Sequence, residues 1–587
     1  MCGIIGIVGL TDFKSETIEK AIGALSQRGP DDRGVAHFAG TVLGHTRLSI
    51  IDLTDTGHQP MRDTARNNTI VFNGEIYNYK ELRATLEAAG HVFRSQSDTE
   101  VILKSYLEYG ERCPEHLDGQ FAFGIWDNEK ERLFLARDRF GEKPLYVARR
   151  GNALFFASEI KALLATGKVK GCLDPVSLDN YLTMLYVPPW RSIYQDITPL
   201  LPAHYALWER GVYTEKEYWK LTKNPVSLSL DEAAAEVRKL LADSVRSRLV
   251  ADVEVGAFLS GGIDSGIIVR LAQLASPTTL KTFSAGFEGF INELPYAAEL
   301  AALAQTEHHP SDICDDLVKT FLGVTEYFDE PFADSSNIPT SLLAKHARTR
   351  VKVALSGDGG DELFWGYGQY TRFNHLPKLQ KLMQLVSGSD AYTHYKSSLL
   401  THFTVDERRH LLKSPDAIEE DPSAHIDLSE ASSPLEKINL VDFYLGLPGD
   451  ILAKVDRASM MHSLEVRSPF LHPALAQFAY NLPAEYKTDG RRGKIILEKA
   501  FGDLLPPGFF ARKKQGFGAP VKNWLMKPEF KKIVGESFGA DARVAEYLAM
   551  DIVHGYVDRF YRGESALGYK VWALLTLETW LRSHLHA

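Results

Sequence analysis

The chain has 587 residues, 44% of them hydrophobic and 24% charged, and a formal net charge of −10. Such a length holds two large domains, or about three or four ordinary ones, with enough interior to fold without staples. The negative balance argues against nucleic acid as a main partner, because phosphate backbones need a basic face, and the 4 cysteines, Cys2, Cys113, Cys172 and Cys314, make neither a disulfide framework nor a CxxC metal site.

The opening MCGIIGIVGL is apolar but has no basic start and no A-x-A cleavage site, and Asp12 ends the run. It reads as a core strand rather than a signal peptide or a membrane span. A reducing cytoplasm fits the cysteine usage, and no membrane partner is expected. Through roughly the first 200 residues, short apolar runs alternate with Gly, Asn and Asp turns: GIIGIVG, TVLGHTRLSIID, NTIVFNGEIYN, QFAFGIWD, RLFLARDRF and NALFFASE. These predict strands. Helical spacing interrupts them near Glu16–Leu25, Tyr79–Ala89 and Thr99–Tyr109, which gives an α+β domain with sheets packed on sheets or helices. Pro188–Pro202 is rich in proline, HYALWERGVYTEKEYWKL reads as a closing hairpin, and Thr222–Leu230 reads as a linker. The domain boundary falls there, giving units at 2–215 and 228–587.

The second unit opens with a helix over Asp231–Leu249, then a strand over Glu254–Leu259, a Ser-Gly-Gly turn, a helix over Ser265–Leu274 and a strand over Lys281–Phe287. A helix over Thr340–Arg348 leads to a strand over Val351–Leu355. Strand–helix alternation of this kind predicts a parallel sheet with helices on both faces. From about Thr371 the chain reads as mostly helical, without repeats or low-complexity segments.

Two constellations carry chemistry. Cys2 follows the initiator Met directly, so loss of Met1 would give it a free α-amine, with a reference pKa of about 7.7–8.0, next to its own thiol. One residue would then supply nucleophile and proton acceptor. Behind it, in chain order, stand RGPDD at 28–32, RLSIID at 47–52, NGEIYN at 73–78 and SDTE at 97–100. Taken singly, Arg47 could be a surface ion pair, Asp98 a helix N-cap and Asn73-Gly74 a type I′ turn.

The second constellation is FLSGGIDS at 258–265, an apolar strand running into a Gly-rich turn and a helix start, where backbone N–H groups and the helix N-terminus favour an anion. It is not the GxxxxGK[ST] loop, since no Lys-Ser/Thr follows. A second strand end carries SGDGGDELFWGY at 356–367. Two such ends suit a nucleotide crevice at the carboxyl edge of a parallel sheet.

The first set resembles the class II glutamine amidotransferases, whose glutaminase domain is an N-terminal nucleophile (Ntn) fold. The second resembles the SGGxDS loop of ATP pyrophosphatases and the synthetase domain of asparagine synthetases. KVDRASMMHSLEVR at 454–467, SPFL, DGRRGKIILEKAF at 489–501 and RKKQGFGAP at 512–520 extend that match to about Leu525. The chain is therefore similar to the glutamine-hydrolysing asparagine synthetases. The resemblance implies an α+β Ntn glutaminase domain with stacked antiparallel sheets, followed by an α/β ATP-pyrophosphatase domain with a parallel sheet and a helical C-terminal part. It implies Cys2 as nucleophile, with the Asn73 side chain and the Gly74 N–H receiving the oxyanion. Glutamine would lie on Arg47, Leu48, Ser49, Ile50, Ile51, Asn73, Gly74, Glu75 and Asp98, its carboxylate on Arg47 and its α-amine on Asp98. ATP would lie on Leu259, Ser260, Gly261, Gly262, Asp264, Ser265, Ala285, Ser356 and Gly357, with Mg²⁺ on Asp264 and Asp361. Asp358 would assist adenylate formation, and Lys494 would stabilise charge on the displaced phosphate, with Arg457 and Lys514 as weaker candidates.

The partners implied are glutamine, ATP and a carboxylate, aspartate first, with ammonia passing through an internal tunnel. A homodimer rests on resemblance alone. Several positions depart from the family pattern: Asp358 for Glu, Gly266 for Ser, Trp365 for Gly and His472 for Asp. They leave open an acceptor other than aspartate, such as a sugar uronic acid of a surface polysaccharide or a peptide carboxylate. An intramolecular amide-forming relative is disfavoured by an intact Cys2, and a non-catalytic binding protein by the intact polar set.

Overall fold

The computed structural model describes residues 1–10, 14–63, 67–286, 293–312, 316–372, 388, 390–512 and 518–585. Among the described residues, twelve strands build the first part: β1 (Gly3–Val8), β2 (Asp32–Phe38), β3 (Thr41–Arg47), β4 (Met61–Arg62), β5 (Asn68–Ile76), β6 (Gly119–Asp127), β7 (Arg132–Arg137), β8 (Tyr146–Arg150), β9 (Ala153–Ala157), β10 (Ile197–Pro199), β11 (His204–Glu209) and β12 (Val212–Glu217). They form two antiparallel six-stranded sheets, ordered β10-β8-β9-β1-β3-β2 and β12-β11-β7-β6-β5-β4.

The period-2 pattern explains the layering. In β1, Ile4 and Val8 point inward with Leu43 to meet Val71, Ala122, Trp126 and Leu135 of the other sheet. Ile5 and Ile7 point outward under helices Ser15–Ala24 and Ile160–Ala165. On the far side, Phe72, Phe121 and Phe123 pack under helices Tyr79–Ala88 and Asp98–Tyr109. The result is a four-layer helix–sheet–sheet–helix sandwich, the arrangement expected of the Ntn glutaminase fold.

The second part opens on helix Leu230–Arg248, whose Ser229 and Glu232 form a reciprocal capping box. It then builds a five-stranded sheet from β13 (Val255–Phe258), β14 (Lys281–Gly286), β15 (Glu307–Asp312), β16 (Val353–Leu355) and β17 (Glu465–Arg467). The order is β15-β14-β13-β16-β17, and every pairing is parallel. The rest is mainly helical, ending in the buried helix Gly568–His584. β17 is the exception, a strand inside the stretch that the sequence assigns to helix. Among the described residues, no helix is long and apolar enough to cross a membrane.

The two parts are locked together by charge. The Arg28 guanidinium, fully buried, donates to both oxygens of Asp456 at 2.7 and 3.1 Å and to Glu159 Oε1 at 3.0 Å. Asp52 N–H donates to Asp252 Oδ2 at 2.8 Å, and Asp252 N–H returns to the Ile50 carbonyl at 2.9 Å. The loop of residues 47–52 is thus pinned to the second half.

Candidate active sites

Cys2 stands just before β1 and is 7% exposed. Its N–H donates to Asn73 Oδ1 at 2.9 Å, and its carbonyl accepts from Arg28 Nε at 3.0 Å. Burial pushes the thiol above its usual range, opposed only in part by the Met1 ammonium, the Leu48 N–H and the Arg47 guanidinium. Met1 itself is 1% exposed, and its ammonium donates to Glu465 Oε2 of β17 at 2.9 Å.

Asn73 and Gly74 lie within β5, paired with β6, not in a turn. Asn73 is fully buried, and among the described residues its Nδ2 has no hydrogen-bond acceptor. An unmet buried donor is costly unless something arrives to accept from it, and a donor fixed in advance is what a developing oxyanion requires. Gly74 has φ +151°, and a Cβ there would lie 2.0 Å from the Gln120 carbonyl oxygen. Gly74→Ala should therefore destabilise this sandwich by roughly 2–4 kcal/mol and remove glutaminase activity. Thermal melting beside the glutaminase assay checks it, and an unchanged melting temperature would contradict it.

Arg47 is 6% exposed rather than at the surface. It donates to the carbonyls of Thr54 at 3.2 Å, Ile51 at 3.3 Å and Asp52 at 2.5 Å. Among the described residues no carboxylate forms an ion pair with it, so its positive charge is held ready by neutral dipoles and suits an arriving carboxylate. Leu48, Ile50 and Ile51 are buried around it, while Ser49 N–H donates to Asp31 Oδ2 at 2.9 Å. Asp98 is the first residue of its helix, and Ser97 is the N-cap, accepting from Thr99 N–H. Asp98 Oδ2 accepts from Ile76 N–H at 3.0 Å, and burial raises its carboxyl to about 6. Glu75 is raised well above the usual range by burial and by the crowding charges of Glu465 and Asp98.

The second site lies at the carboxyl edge of the parallel sheet. β13 ends at Phe258, and the chain turns through Ser260–Gly262 into helix Ile263–Ala275, which begins two residues earlier than the sequence predicts. Among the described residues no side chain caps that helix, so its first N–H groups are left open to an anion. Gly261 has φ +78°, and a Cβ there would strike Tyr296 Cβ at 2.8 Å. The Ser260 and Ser265 hydroxyls lie 3.1 Å apart. Leu259 and Ala285 flank the loop at the ends of β13 and β14, and Gly357 lets the second turn approach Asp264, whose Cβ a Gly357 Cβ would meet at 2.9 Å. Ser356 N–H is held by the Arg467 carbonyl at 2.9 Å.

Lys494, 5% exposed, places Nζ 2.5 Å from Asp264 Oδ2 and 2.5 Å from Asp361 Oδ1. Burial alone would push its ammonium down, but the two carboxylates outweigh burial and hold it above its usual range. Both carboxylate oxygens touch one nitrogen, so they are at most about 5 Å apart and can close on one Mg²⁺. That ion takes one or two carboxylates plus substrate phosphates at roughly 2.0–2.1 Å, and this donor set fits it. No cluster of three or more His, Cys, Asp or Glu able to hold a metal occurs among the described residues. Asp358 is half-buried in the same turn; burial raises its carboxyl, while the Ser356 hydroxyl and the Lys454 ammonium oppose the rise.

Other sequence candidates fare differently. Arg457 does not join the Asp264 crevice; it donates to Tyr146 Oη at 2.5 Å and Glu330 Oε2 at 2.7 Å between the two halves. Lys514 lies outside the described residues. Gly266 points into the core, where a Cβ would meet Leu300 and Leu505, so a Ser there would not reach a phosphate. Trp365 is buried and stacks on Tyr370 at 5.2 Å. His472 Nε2 lies 3.3 Å from Asp118 Oδ2, across the domain junction. Sequence pattern alone does not single out Lys454, which pairs with Asp334 at 2.9 Å beside Asp358. It opens the matched stretch KVDRASMMHSLEVR, and that was its only signal. A cavity between the halves is lined by Glu142, Tyr146, Glu330, Leu452, Asp456 and Arg457.

Comparison with known proteins identifies the family of each part of the chain. The asparagine synthase family model matches residues 236–582, and the glutamine amidotransferase domain model matches residues 1–219. A Bacillus subtilis protein named asparagine synthetase [glutamine-hydrolyzing] 1 is 34% identical over 99% of this chain and 96% of its own. Asparagine synthetase [glutamine-hydrolyzing] 3 of the same organism is 32% identical over 91% and 89%. The amidase chry2 of Gibberella zeae is 28% identical over 88% and 87%. The chain belongs to the asparagine synthase family of glutamine-using ligases.

Proposed function

We propose that this protein is a glutamine-dependent asparagine synthetase with a glutaminase unit at 2–215 and a synthetase unit at 228–587, working in the cytoplasm. The observation that carries the reading is the unmet Asn73 amide donor beside Cys2, in a chain whose other crevice gathers Asp264, Asp361 and Lys494. With Met1 removed, the Cys2 sulfur attacks the glutamine amide carbon and the freed α-amine takes the thiol proton. Asn73 Nδ2 and Gly74 N–H receive the oxyanion. The amine then returns the proton as ammonia leaves, and water releases glutamate from the thioester.

At the second crevice the Ser260–Ser265 loop and Ser356-Gly357 hold ATP. A carboxylate oxygen of the acceptor, aspartate in this reading, attacks the α-phosphorus and pyrophosphate departs. Asp264 and Asp361 would hold Mg²⁺, which when bound neutralises phosphate charge. Lys494 sits where it can stabilise the departing pyrophosphate, and Asp358 with Lys454 faces the reacting carboxylate. Ammonia then attacks the acyl carbon and AMP leaves. The cavity between the halves supports an internal route. Helix Leu452–Met460 carries Asp456, bound to the Arg28 that holds the Cys2 carbonyl, and Lys454, beside Asp358.

Mass analysis of the mature chain tests the first step: one methionine fewer than the gene encodes is expected, and retained Met1 overturns the Cys2 mechanism. A pH profile gives a second test. The Asp98 carboxyl is raised to about 6, so its ionised form, which pairs with the glutamine α-ammonium, dominates only above that pH. The glutamine kcat/KM should fall about tenfold per unit below it, while ammonia-dependent synthesis lacks this limb. A limb shared by both nitrogen sources contradicts the assignment.

A further inference from the structure

The second half of the chain contributes side chains to the glutamine pocket. β17 is the edge strand of the parallel sheet and pairs with β16 in the register Leu355↔Arg467 and Val353↔Glu465. Glu465 and Arg467 are both fully buried. Glu465 Oε1 accepts from Arg467 Nε at 2.7 Å, and Arg467 Nη1 donates to the Arg248 and Val250 carbonyls at 2.8 and 2.7 Å. The remaining nitrogen, Nη2, lies 3.7 Å from Glu75 Oε2. Both of those atoms are buried and lack a hydrogen-bond partner among the described residues. They face each other across a gap slightly too long for a hydrogen bond. On its backbone side, the Arg467 carbonyl accepts from the N–H of Ser356, which opens the second nucleotide turn.

We propose that Arg467 is the positioning residue through which an occupied glutamine pocket and the nucleotide turn sense each other, its side chain facing Glu75 while its carbonyl holds Ser356. The proposal rests on the function proposed above. The physical step is a contraction. In the empty pocket, burial and the nearby Glu465 and Asp98 carboxylates disfavour charge on Glu75, with Arg467 and the chain's amino terminus opposing them. A glutamine α-ammonium seated on Asp98 cancels one of those negative neighbours and lets Glu75 ionise. Ionised Glu75 draws Nη2 in to ordinary hydrogen-bond length. The other guanidinium nitrogens are tethered to Glu465, Arg248 and Val250, so the pull moves the residue as a unit and with it the carbonyl that fixes Ser356. Linkage makes the effect reciprocal: nucleotide on the turn tightens glutamine binding by the same factor.

The test uses full-length Cys2→Ala protein, which binds glutamine without consuming it. Titration with glutamine, with and without Mg²⁺ and α,β-methylene-ATP, should show an affinity gain of at least about fivefold. Adding Arg467→Lys should bring that gain to within about twofold of none, while each ligand alone still binds. A merely structural role would weaken both ligands and leave the ratio intact, and that outcome overturns the proposal. Should Arg467→Lys fail to fold, hydrogen exchange on Cys2→Ala replaces it: glutamine should slow exchange at the Ser356 amide, and no change there overturns the coupling. Two ligands that bind independently in Cys2→Ala sink the coupling alone. A protein that binds neither sinks the proposed function as well.

Discussion

Cys2→Ala should reduce glutamine-dependent amide synthesis by at least about 10⁴-fold, because the substitution removes the only atom that bonds to the substrate carbon. Ammonia-dependent synthesis should stay within about twofold of the unsubstituted rate. The two expectations separate because Cys2 lies just before β1, touching Asn73 and Arg28, while Asp264, Asp361 and Lys494 gather at the other crevice. The substitution deletes one buried sulfur, and the hydrogen bonds from Cys2 N–H to Asn73 and from Arg28 to the Cys2 carbonyl are backbone interactions that alanine keeps. Initial rates with glutamine and with ammonium salts check this. Persistent glutamine use by the variant would contradict the nucleophile assignment, and equal loss of both activities would contradict two separate sites.

Asp264→Ala should produce the opposite pattern. Pyrophosphate release should fall roughly 10²–10³-fold, the scale seen when one preorganised electrostatic group is removed from a site. Glutaminase activity should persist. Asp264 shares the Lys494 ammonium with Asp361, each at 2.5 Å. Losing it leaves one carboxylate for Mg²⁺ and frees Lys494 to swing toward Asp361. Its Cβ also packs against Gly357, so the second turn loses little contact with alanine in place. Pyrophosphate release measured beside glutamate release from glutamine checks the split. Unchanged pyrophosphate release would remove Asp264 from the nucleotide site.

The layered architecture was legible because its strands are short apolar runs bounded by turn residues. GIIGIVG, NTIVFNGEIYN and QFAFGIWD each place apolar residues on both faces of a sheet buried between another sheet and helices. β15 was illegible for the converse reason. It reads EHHPSD, polar and interrupted by Pro310, and it is tolerated because it occupies the sheet edge. β17 reads EVR, and hydropathy would expose both charges. Glu465 and Arg467 pair with each other, and until Met1 is removed its ammonium, 464 residues away, also meets Glu465, a contact no local window contains.

The site residues divide along the same line. Asn73, Gly74, Arg47 and Asp98 each had an ordinary explanation in isolation, as turn, surface pair or cap. The strand run NTIVFNGEIYN already favours a strand over a turn there, and the folded chain shows β5 running straight through Asn73-Gly74 and Ser97 taking the capping role. The meeting of Lys494 with Asp264 and Asp361 spans 230 residues of chain and came from motif resemblance rather than from spacing. Lys454 and Arg467 stood at the two ends of a matched motif, yet their partners Asp334, Glu75 and Ser356 lie in other segments.

Nitrogen released at Cys2 should reach a carboxylate activated at the Asp264 crevice without leaving the protein. The direct measurement supplies glutamine labelled with ¹⁵N at the amide, unlabelled ammonium in excess in solution, ATP and aspartate, and reads the isotope in the product by mass spectrometry. Asparagine carrying the label, formed in step with AMP and pyrophosphate, is the expected product. Product built from the unlabelled pool, or glutamate formed with no amide product at all, would contradict it.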